Sequence, residues 1–468
     1  MPKNKNKLIH LLPNNLWSVK DLYSPEIESL LKSKKIYVGD RIRVTKGKFL
    51  YDGLLMPRIA LGDPSAIVVK LDNGYNVGIK FEKGTQFKLL KKGKPIRFKP
   101  TKLQIRADKN KPTVSILGCG GTIASRIEYT TGAVFPAFSP ADLLLSFPEI
   151  GEIANIKGRK LFDIFSEDMT ASHWQLIARE VEKEIKKKMG GIVLMHGTDT
   201  MHYTSAALSF MLQNLPVPVV LVGAQRSSDR GSSDNAMNLF CSTLVAAKSD
   251  VAEVSLCMHG SMSDDFCLLH QGTKVRKMHT SRRDAFQSVN VLPYAKVWYD
   301  ERNIEYLRND FQKREKRALK IDDKINPNVV LLQTYPDIKP EFIENLSKFF
   351  EGVVISGTGL GHVSTNPSND KLARSVLPAV KSLIDSGIPV VIAPQTIFGR
   401  LNQNVYSAGR LLSEAGVIGN GCDWTPETAL VKLMWVLGHT KDMKKVKEMM
   451  LTNYAGEISK RIGVERVK

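Results

Sequence analysis

Three polar clusters in the chain hold the residue types that acyl transfer requires. Thr122 follows the glycine-rich stretch GCGG, Thr198 and Asp199 lie in HGTDT, and Lys274 lies in QGTKVRK. A threonine hydroxyl becomes a good nucleophile only when a base takes its proton, and a desolvated lysine held by an aspartate can be that base. Backbone N–H groups of the glycine-rich turns could stabilise the oxyanion that forms. The clusters thus offer a base triad of Thr198, Asp199 and Lys274 for acyl transfer.

Each of these residues also fits a purely structural role. A threonine after a glycine-rich turn is most often a helix N-cap. Asp199 alone fits the start of a helix, where a carboxylate is favoured, and Lys274 alone fits a solvated surface charge. From spacing alone, the catalytic and the structural interpretations both stay open.

The glycine-rich stretch could instead cradle a phosphate. A Walker loop requires GxxxxGK[ST], and the sequence contains no such match. The dinucleotide fingerprint GxGxxG finds its first two glycines at Gly118 and Gly120, but Ile123 stands where the third belongs. Nucleotide binding at this turn is therefore disfavoured.

The elements that must position these clusters form a doubly wound α/β pattern. Four short, nearly continuous apolar runs (TVSILG, GIVLMH, VPVVLVG and EVSLCMHG) are typical of parallel strands covered on both faces. Helical patterns follow at 204–215 and 234–249. Ligand sites in such sheets lie beyond the carboxyl ends of the strands, which is where Thr122 and HGTDT stand.

Further changes in sequence pattern and composition divide the chain into domains. Residues 37–90 alternate and turn as a small β-barrel does, and a Lys- and Pro-containing linker follows. A charged segment, 300–324, separates off a second, smaller α/β set with the strands NVVLLQTY, GVVISG and IPVVIAPQ. We predict four parts: a basic N-terminal domain over 1–88, the linker over 89–112, and α/β domains over 113–316 and 325–468.

The positive charge is concentrated at the N-terminus. Of the net charge of +20, residues 1–110 contribute 24 Lys and Arg against 9 Asp and Glu, a difference of +15. This asymmetry indicates an acidic partner such as RNA, although a solubilising basic surface fits as well. The aromatic residues of the barrel (Tyr37, Phe49, Tyr51, Tyr75 and Phe81) are expected in its core rather than stacked on bases.

The remaining composition narrows the classes of protein. The five scattered cysteines form neither a CxxC nor a Cys/His ligand spacing, which predicts no disulfide framework and no metal site. No apolar run approaches the length that spans a bilayer, and the N-terminus lacks a secretory apolar region. We therefore expect a cytoplasmic protein without a membrane partner.

Three separated motifs resemble those of the L-asparaginase family. They are GCGGTIAS, GIVLMHGTDTMHYTSAAL and QGTKVRKMHTSRRDAFQS, and the resemblance covers about 113–440. It implies a two-domain α/β amidohydrolase that acts on the side-chain amide of Asn or Gln without a metal. Carried over, it implies Thr122 as the nucleophile, Thr198 as the second threonine, Asp199 as its partner and Lys274 as the lysine.

The resemblance also implies substrate-binding residues. Tyr129 is similar to the family's mobile-loop tyrosine, and Ser166 in FSEDM is similar to a binder of the substrate carboxylate. Plain loop packing is the alternative for both. His362, in ISGTGLGHVS, stands where the family's free hydrolases commonly carry Asn, which leaves its role open.

The basic extension in front of such a core resembles the D subunits of archaeal glutamyl-tRNA(Gln) amidotransferases. This implies ammonia release from glutamine or asparagine through a threonine acyl-enzyme. A partner, the E subunit of the amidotransferase, would use ATP and Mg to activate glutamate on Glu-tRNA(Gln), so this chain would carry no cofactor. A homodimer of the core would give a heterotetramer. The alternatives are a free-standing L-asparaginase and a non-catalytic RNA-binding scaffold.

Overall fold

The computed structural model describes residues 23–56, 63–73, 75–93, 107–121, 125–127, 134–136, 140–226 and 232–462. Within these ranges the chain forms two compact units, one mainly from residues up to 100 and the other from most of the rest. Thr122 and Tyr129, together with residues 94–106 of the predicted linker, lie outside the described residues.

The first unit is a helix followed by a five-stranded antiparallel sheet. Ser24 caps the helix by accepting the N–H of Ile27, and Pro25 occupies its first turn, where no N–H is needed. The strand order is β4-β3-β2-β1-β5, so the first strand pairs with both the second and the fifth. The elements are α1 (Pro25–Ser33), β1 (Arg41–Lys46), β2 (Phe49–Leu55), β3 (Ala66–Leu71), β4 (Asn76–Lys80) and β5 (Gln86–Lys91).

Alternate residues of these strands face one apolar core, which Ile27 and Leu31 of α1 also enter. On β1, Ile42 and Val44 point inward while the arginines at 41 and 43 point outward. Each arginine makes a bidentate ion pair, Arg41 with Asp72 and Arg43 with Asp52. These two cations are thus neutralised by the sheet itself.

The prediction that all five barrel aromatics are core was wrong for three of them. Tyr37, Phe49 and Tyr75 are 58%, 56% and 48% exposed, whereas Tyr51 and Phe81 pack against the core. Phe49 is the first residue of β2, Tyr75 directly precedes β4, and Tyr37 lies four residues before β1. There the alternation of faces that buries every second side chain is not yet enforced.

The second unit contains the larger sheet and the smaller one. A separate two-stranded sheet consists of β7 (Ser125–Ile127) and β8 (Val134–Pro136). The strands of the second unit are β6 (Thr113–Gly118), β9 (Asn155–Lys160), β10 (Gly191–Met195), β11 (Leu212–Gln213), β12 (Val219–Val222), β13 (Val254–His259), β14 (Phe266–Gln271), β15 (Val275–Lys277), β16 (Phe286–Ser288), β17 (Ala295–Trp298), β18 (Asn303–Tyr306), β19 (Lys320–Ile321), β20 (Val329–Gln333), β21 (Gly352–Gly357) and β22 (Val390–Pro394). Its helices are α2 (Pro140–Ser146), α3 (Ile150–Ile153), α4 (Ala171–Lys186), α5 (Met201–Met211), α6 (Asn235–Lys248), α7 (Pro340–Glu344), α8 (Leu377–Asp385), α9 (Ser407–Glu414), α10 (Pro426–Leu437) and α11 (Met443–Leu451). Two short 3₁₀ turns cover Ser166–Asp168 and Asn345–Lys348.

The larger sheet has the order β18-β17-β14-β13-β12-β10-β6-β9. Five neighbouring strands of this sheet are parallel, namely β13, β12, β10, β6 and β9. The remaining three, β14, β17 and β18, are antiparallel. The register of β6 and β10 pairs Gly118 with Met195, so the loops after these two strands leave the sheet at the same level. The predicted α/β class with a parallel sheet is confirmed.

The smaller sheet is parallel, in the order β20-β21-β22, and matches the three apolar runs predicted for the second α/β set. Helix α10 packs on β21 and also on α5 of the larger part. The two α/β parts therefore share one continuous apolar core. Among the helices in the described ranges, none is long and apolar enough to cross a bilayer.

Candidate active site

The glycines after β6 form a turn that only glycine can make. Gly120 and Gly121 have φ angles of +93° and +85°, a region that residues with a Cβ rarely adopt. A Cβ on Gly120 would stand 2.1 Å from the carbonyl oxygen of Ile164, and one on Gly121 would stand 2.7 Å from the backbone nitrogen of Gly197. The turn thus brings the chain directly before Thr122 against the loop that follows β10.

That second loop carries Thr198 and Asp199, between the end of β10 and the start of α5. Lys277, the last residue of β15, reaches both of them. Its Nζ donates to Thr198 Oγ1 at 2.9 Å and to Asp199 Oδ1 at 2.7 Å. Thr198 is buried, and the Lys277 side chain is nearly so, whereas Asp199 is exposed. The threonine, aspartate and lysine of the predicted triad are therefore present, but the lysine is not the predicted one.

The structure corrects the prediction that Lys274 is the lysine of the triad. Lys274 Nζ lies 2.9 Å from Asp423 Oδ1 and 3.0 Å from the Asp423 carbonyl oxygen, and both side chains are fully buried. Successive side chains of a strand point to opposite faces, so Lys274 and Lys277, three positions apart, face opposite ways. Burial lowers the pKa of Lys274, but this group is not beside Thr198.

A chain of hydrogen bonds behind the loop was missed by sequence reasoning. Trp174 Nε1 donates to Thr204 Oγ1, which lies 2.9 Å from His196 Nε2, and His196 Nδ1 lies 2.6 Å from the Gly197 carbonyl oxygen. Because a carbonyl can only accept, the imidazole proton is on Nδ1, and Thr204 donates to Nε2. Burial lowers the pKa of His196 to about 4, which keeps this imidazole neutral. The chain fixes the carbonyl directly before Thr198.

Ser166 lies in a 3₁₀ turn beside the same loop. It is buried, a Cβ on Gly197 would stand 2.9 Å from its hydroxyl oxygen, and its carbonyl accepts the Thr200 hydroxyl. The structure thus brings Ser166 to the loop after β10. Its role towards a substrate stays a prediction.

A further support holds the neighbouring loop after β12. The buried carboxylate of Asp234 accepts the backbone N–H groups of Gln225 and Arg226 and the amide of Asn238. Asn238 also donates to the carbonyl oxygen of Gly223, where a Cβ would lie 2.8 Å from Thr198 Cγ2. The Asp234–Asn238 pair therefore fixes backbone that packs directly against Thr198.

His362 lies in the turn after β21, where its ring packs edge-on against Tyr406 at 5.6 Å. Its Nε2 is buried and has no hydrogen-bond partner, and burial lowers the pKa of the ring. Across the described parts of the chain, no three His, Cys, Asp or Glu side chains gather closely enough to hold a metal ion.

Family models match most of the chain. One described as "Asparaginase, N-terminal" matches residues 113–312, and one described as "Glutaminase/Asparaginase C-terminal domain" matches residues 328–450. A third, described as "GatD N-terminal domain", matches residues 36–90. These matches cover both the α/β core and the small sheet in front of it.

Solved asparaginases share the fold of the core. The thermostable L-asparaginase from Thermococcus kodakarensis matches with a TM-score of 0.66 at 31% identity, covering 75% of this chain and 100% of that one. L-asparaginase I from Vibrio cholerae matches with a TM-score of 0.63, also at 31% identity, covering 75% of this chain and 99% of that one.

Relatives that include the N-terminal unit are more similar. The chain is 52% identical over 439 residues to the D subunit of the glutamyl-tRNA(Gln) amidotransferase of Pyrococcus furiosus, which covers 92% of this chain and 97% of that protein. It is 46% identical over 444 residues to the D subunit of the same enzyme from Methanothermobacter thermautotrophicus, with 94% and 98% covered. Both family resemblances in the sequence are confirmed: the chain belongs to the asparaginase family and, within it, to the D subunits of archaeal glutamyl-tRNA(Gln) amidotransferases.

Proposed function

We propose that this chain releases ammonia from glutamine for a partner subunit that converts Glu-tRNA(Gln) to Gln-tRNA(Gln). The observation that carries the proposal is the Lys277 amino group, bound to both Thr198 and Asp199 beside the glycine turn that precedes Thr122. A nucleophile, a second hydroxyl and a lysine held by a carboxylate are the parts that amide cleavage through an acyl-enzyme needs.

In the proposed reaction, the Thr122 hydroxyl attacks the side-chain amide carbon and an acyl-threonine forms as ammonia leaves. Water then cleaves the ester, which gives glutamate and restores the hydroxyl. The proton lost by the nucleophile must reach the departing nitrogen. Thr198 and Lys277 form the relay for it, and Asp199 holds Lys277 in place. Tyr129 and Ser166 are proposed to bind the substrate.

The proposed role of the partner subunit follows from the name of the relatives, which describes an amidotransferase for glutamyl-tRNA(Gln). We assign the ATP- and Mg-dependent activation of glutamate to the E subunit of the amidotransferase, which fits the lack of a Walker sequence in this chain. The proposed assembly is a heterotetramer around a homodimer of the core, in the cytoplasm. Light scattering on the purified complex tests its mass.

The experiment measures ammonia release from glutamine and from asparagine, with and without Glu-tRNA(Gln) and the partner subunit. Wild-type protein should release ammonia from glutamine, and the complex with tRNA should couple it to Gln-tRNA(Gln) formation. Thr122→Ala should lower the release at least about 1,000-fold, because the nucleophile is lost while the fold remains.

Thr243→Val is the matched control, because the hydroxyl of this buried threonine donates to the Leu239 carbonyl of its own helix and, among the described residues, to no other group. It should keep full activity. Near-normal release by Thr122→Ala would overturn the mechanism. Fast asparagine hydrolysis that neither tRNA nor the partner changes would instead identify a free-standing asparaginase.

A further inference from the structure

The hairpin formed by β15 and β16 carries Lys277 at one end and Lys274 just before the other. We propose that Lys274 is a positioning residue: its buried pair with Asp423 anchors this hairpin to the C-terminal α/β part so that Lys277 reaches Thr198. The inference rests on the function proposed for Lys277, and it gives Lys274 no proton to transfer.

The first anchor joins the hairpin to Asp423 of the C-terminal part. The Lys274 ammonium donates to the carboxylate and to the carbonyl of Asp423. The same carboxylate oxygen accepts the Ser459 N–H at 2.8 Å, and the same carbonyl accepts the Asn290 amide at 2.9 Å. Three separate segments thus contact Asp423 and hold it in one position, and this fixes the position of the Lys274 amino group.

A second anchor lies two residues further along the strand, on the same face. Arg276 Nε donates to Glu427 Oε1 at 2.7 Å, where Glu427 lies in the first turn of α10. The Thr428 hydroxyl of that helix donates to the carbonyl of Thr273 at 2.9 Å. One face of the hairpin is therefore held along its length by the C-terminal part, while Lys277 on the other face meets Thr198.

The energetics favour a role in orientation over a role in stability. Burying two charges costs free energy that their attraction barely returns, and an apolar or neutral pair of similar volume often stabilises a fold equally well. The reacting groups, however, must be held to a fraction of an ångström, and a misplacement of about 1 Å can cost 100-fold in rate. An anchor behind the hairpin sets the position of the Lys277 amino group to that accuracy.

The test compares two neutralised pairs in the full complex. Lys274→Met/Asp423→Asn removes both charges of the anchor and keeps an acceptor for the Ser459 N–H. Lys432→Met/Glu457→Gln is the matched control, because that ion pair is equally buried and, among the described residues, its hydrogen bonds go to Met450, Thr452, Tyr454 and Ala455 rather than to the hairpin. Thermal unfolding, kcat and KM for glutamine are measured across pH.

We expect both double variants to fold, and only the first to lose kcat, by about 10- to 100-fold with KM changed less than about threefold. Lys274→Arg keeps the charge and should retain the wild-type kcat within about fivefold and the same pH profile. Lys277→Arg should lose at least about 100-fold, since a guanidinium stays charged across this pH range and cannot act as a proton relay.

Arg276→Gln covers the case in which the buried variants fail to fold, because Arg276 is a third exposed. It should lower kcat about three- to tenfold with KM unchanged. Normal kcat in folded Lys274→Met/Asp423→Asn, or in Arg276→Gln, would overturn the inference. So would a pH profile altered by Lys274→Arg. Full activity of Lys277→Arg would overturn the proposed function instead.

Discussion

Gly121 occupies a position of the candidate site where no side chain fits. Its backbone is left-handed, and it faces the backbone of Gly197 at a distance that leaves no room for a Cβ. We expect Gly121→Ala to shift the loop that carries Thr198 and to lower ammonia release at least about 100-fold. Activity and thermal unfolding are both measured.

Gly387 offers a control with the same backbone strain. Its φ of +82° is close to that of Gly121, but nothing stands within 4 Å of its would-be Cβ. Gly387→Ala should cost about 1 kcal/mol of stability and no activity. Equal effects of the two changes would mean that strain alone, and not the contact with Gly197, makes glycine necessary.

The lysine of the site shows where sequence reasoning stopped. The stretch TKVRK offers Lys274 and Lys277, and its composition does not say which one faces Thr198. The choice depends on the start of a three-residue strand and on the acidic residues of a distant part of the chain. Thr198, Asp199 and the glycine turn, in contrast, directly follow apolar strands and could be placed from the sequence.

At the scale of elements, one hydroxyl joins α4, α5 and the loop after β10. Thr204 accepts from Trp174 and donates to His196, and all three side chains are buried. Thr204→Val keeps the shape but leaves a donor and an acceptor without partners. We expect it to lower the free energy of unfolding by about 2 to 4 kcal/mol, as measured by urea denaturation.

Thr243→Val again supplies the comparison. This hydroxyl donates to the carbonyl four residues earlier, which already accepts a hydrogen bond of the helix, so the change should cost less than about 1 kcal/mol. If both valine variants unfold at the same urea concentration, the bonds to Trp174 and His196 contribute nothing to stability.

The parallel strands could be predicted because their sequences are continuous apolar runs, and β6 and β21 have the predicted bounds. The antiparallel strands β14, β17 and β18 were not predicted. The edge strand β18, with the sequence NIEY, is mostly exposed and lies inside the charged segment 300–324. Such a strand forms because it pairs with its neighbour. Its sequence does not show the apolar pattern by which a strand is predicted.

At the scale of the whole molecule, three buried histidines predict sensitivity to mild acid. Burial lowers the pKa of His196 and His202 to about 4 and that of His270 to about 3, from 6.5. Below pH 6.5 the unfolded chain therefore binds protons that the folded chain does not, and stability falls as pH falls. At pH 5 the loss is about 2 kcal/mol for each histidine.

Urea unfolding at pH 6.5 and pH 5 measures this loss, with His270→Gln as the diagnostic variant. Between the two pH values the variant should lose about 1.5 to 2 kcal/mol less stability than the wild type, because the contribution of His270 is absent. Glu253, whose pKa burial raises, acts in the opposite direction, but it is common to both proteins and cancels in the comparison. An identical pH dependence would show that His270 becomes protonated without unfolding.

The bond between Asp423 and Ser459 has a consequence for the order in which the protein is made. A ribosome adds Ser459 roughly 180 residues after Lys277, which takes about 10 to 40 s at usual rates of synthesis. Until then the acidic anchor of the hairpin lacks one of the groups that fix it. The proposed amide-cleaving centre is therefore fully held only after Ser459 has been made, long after its own threonines and lysine.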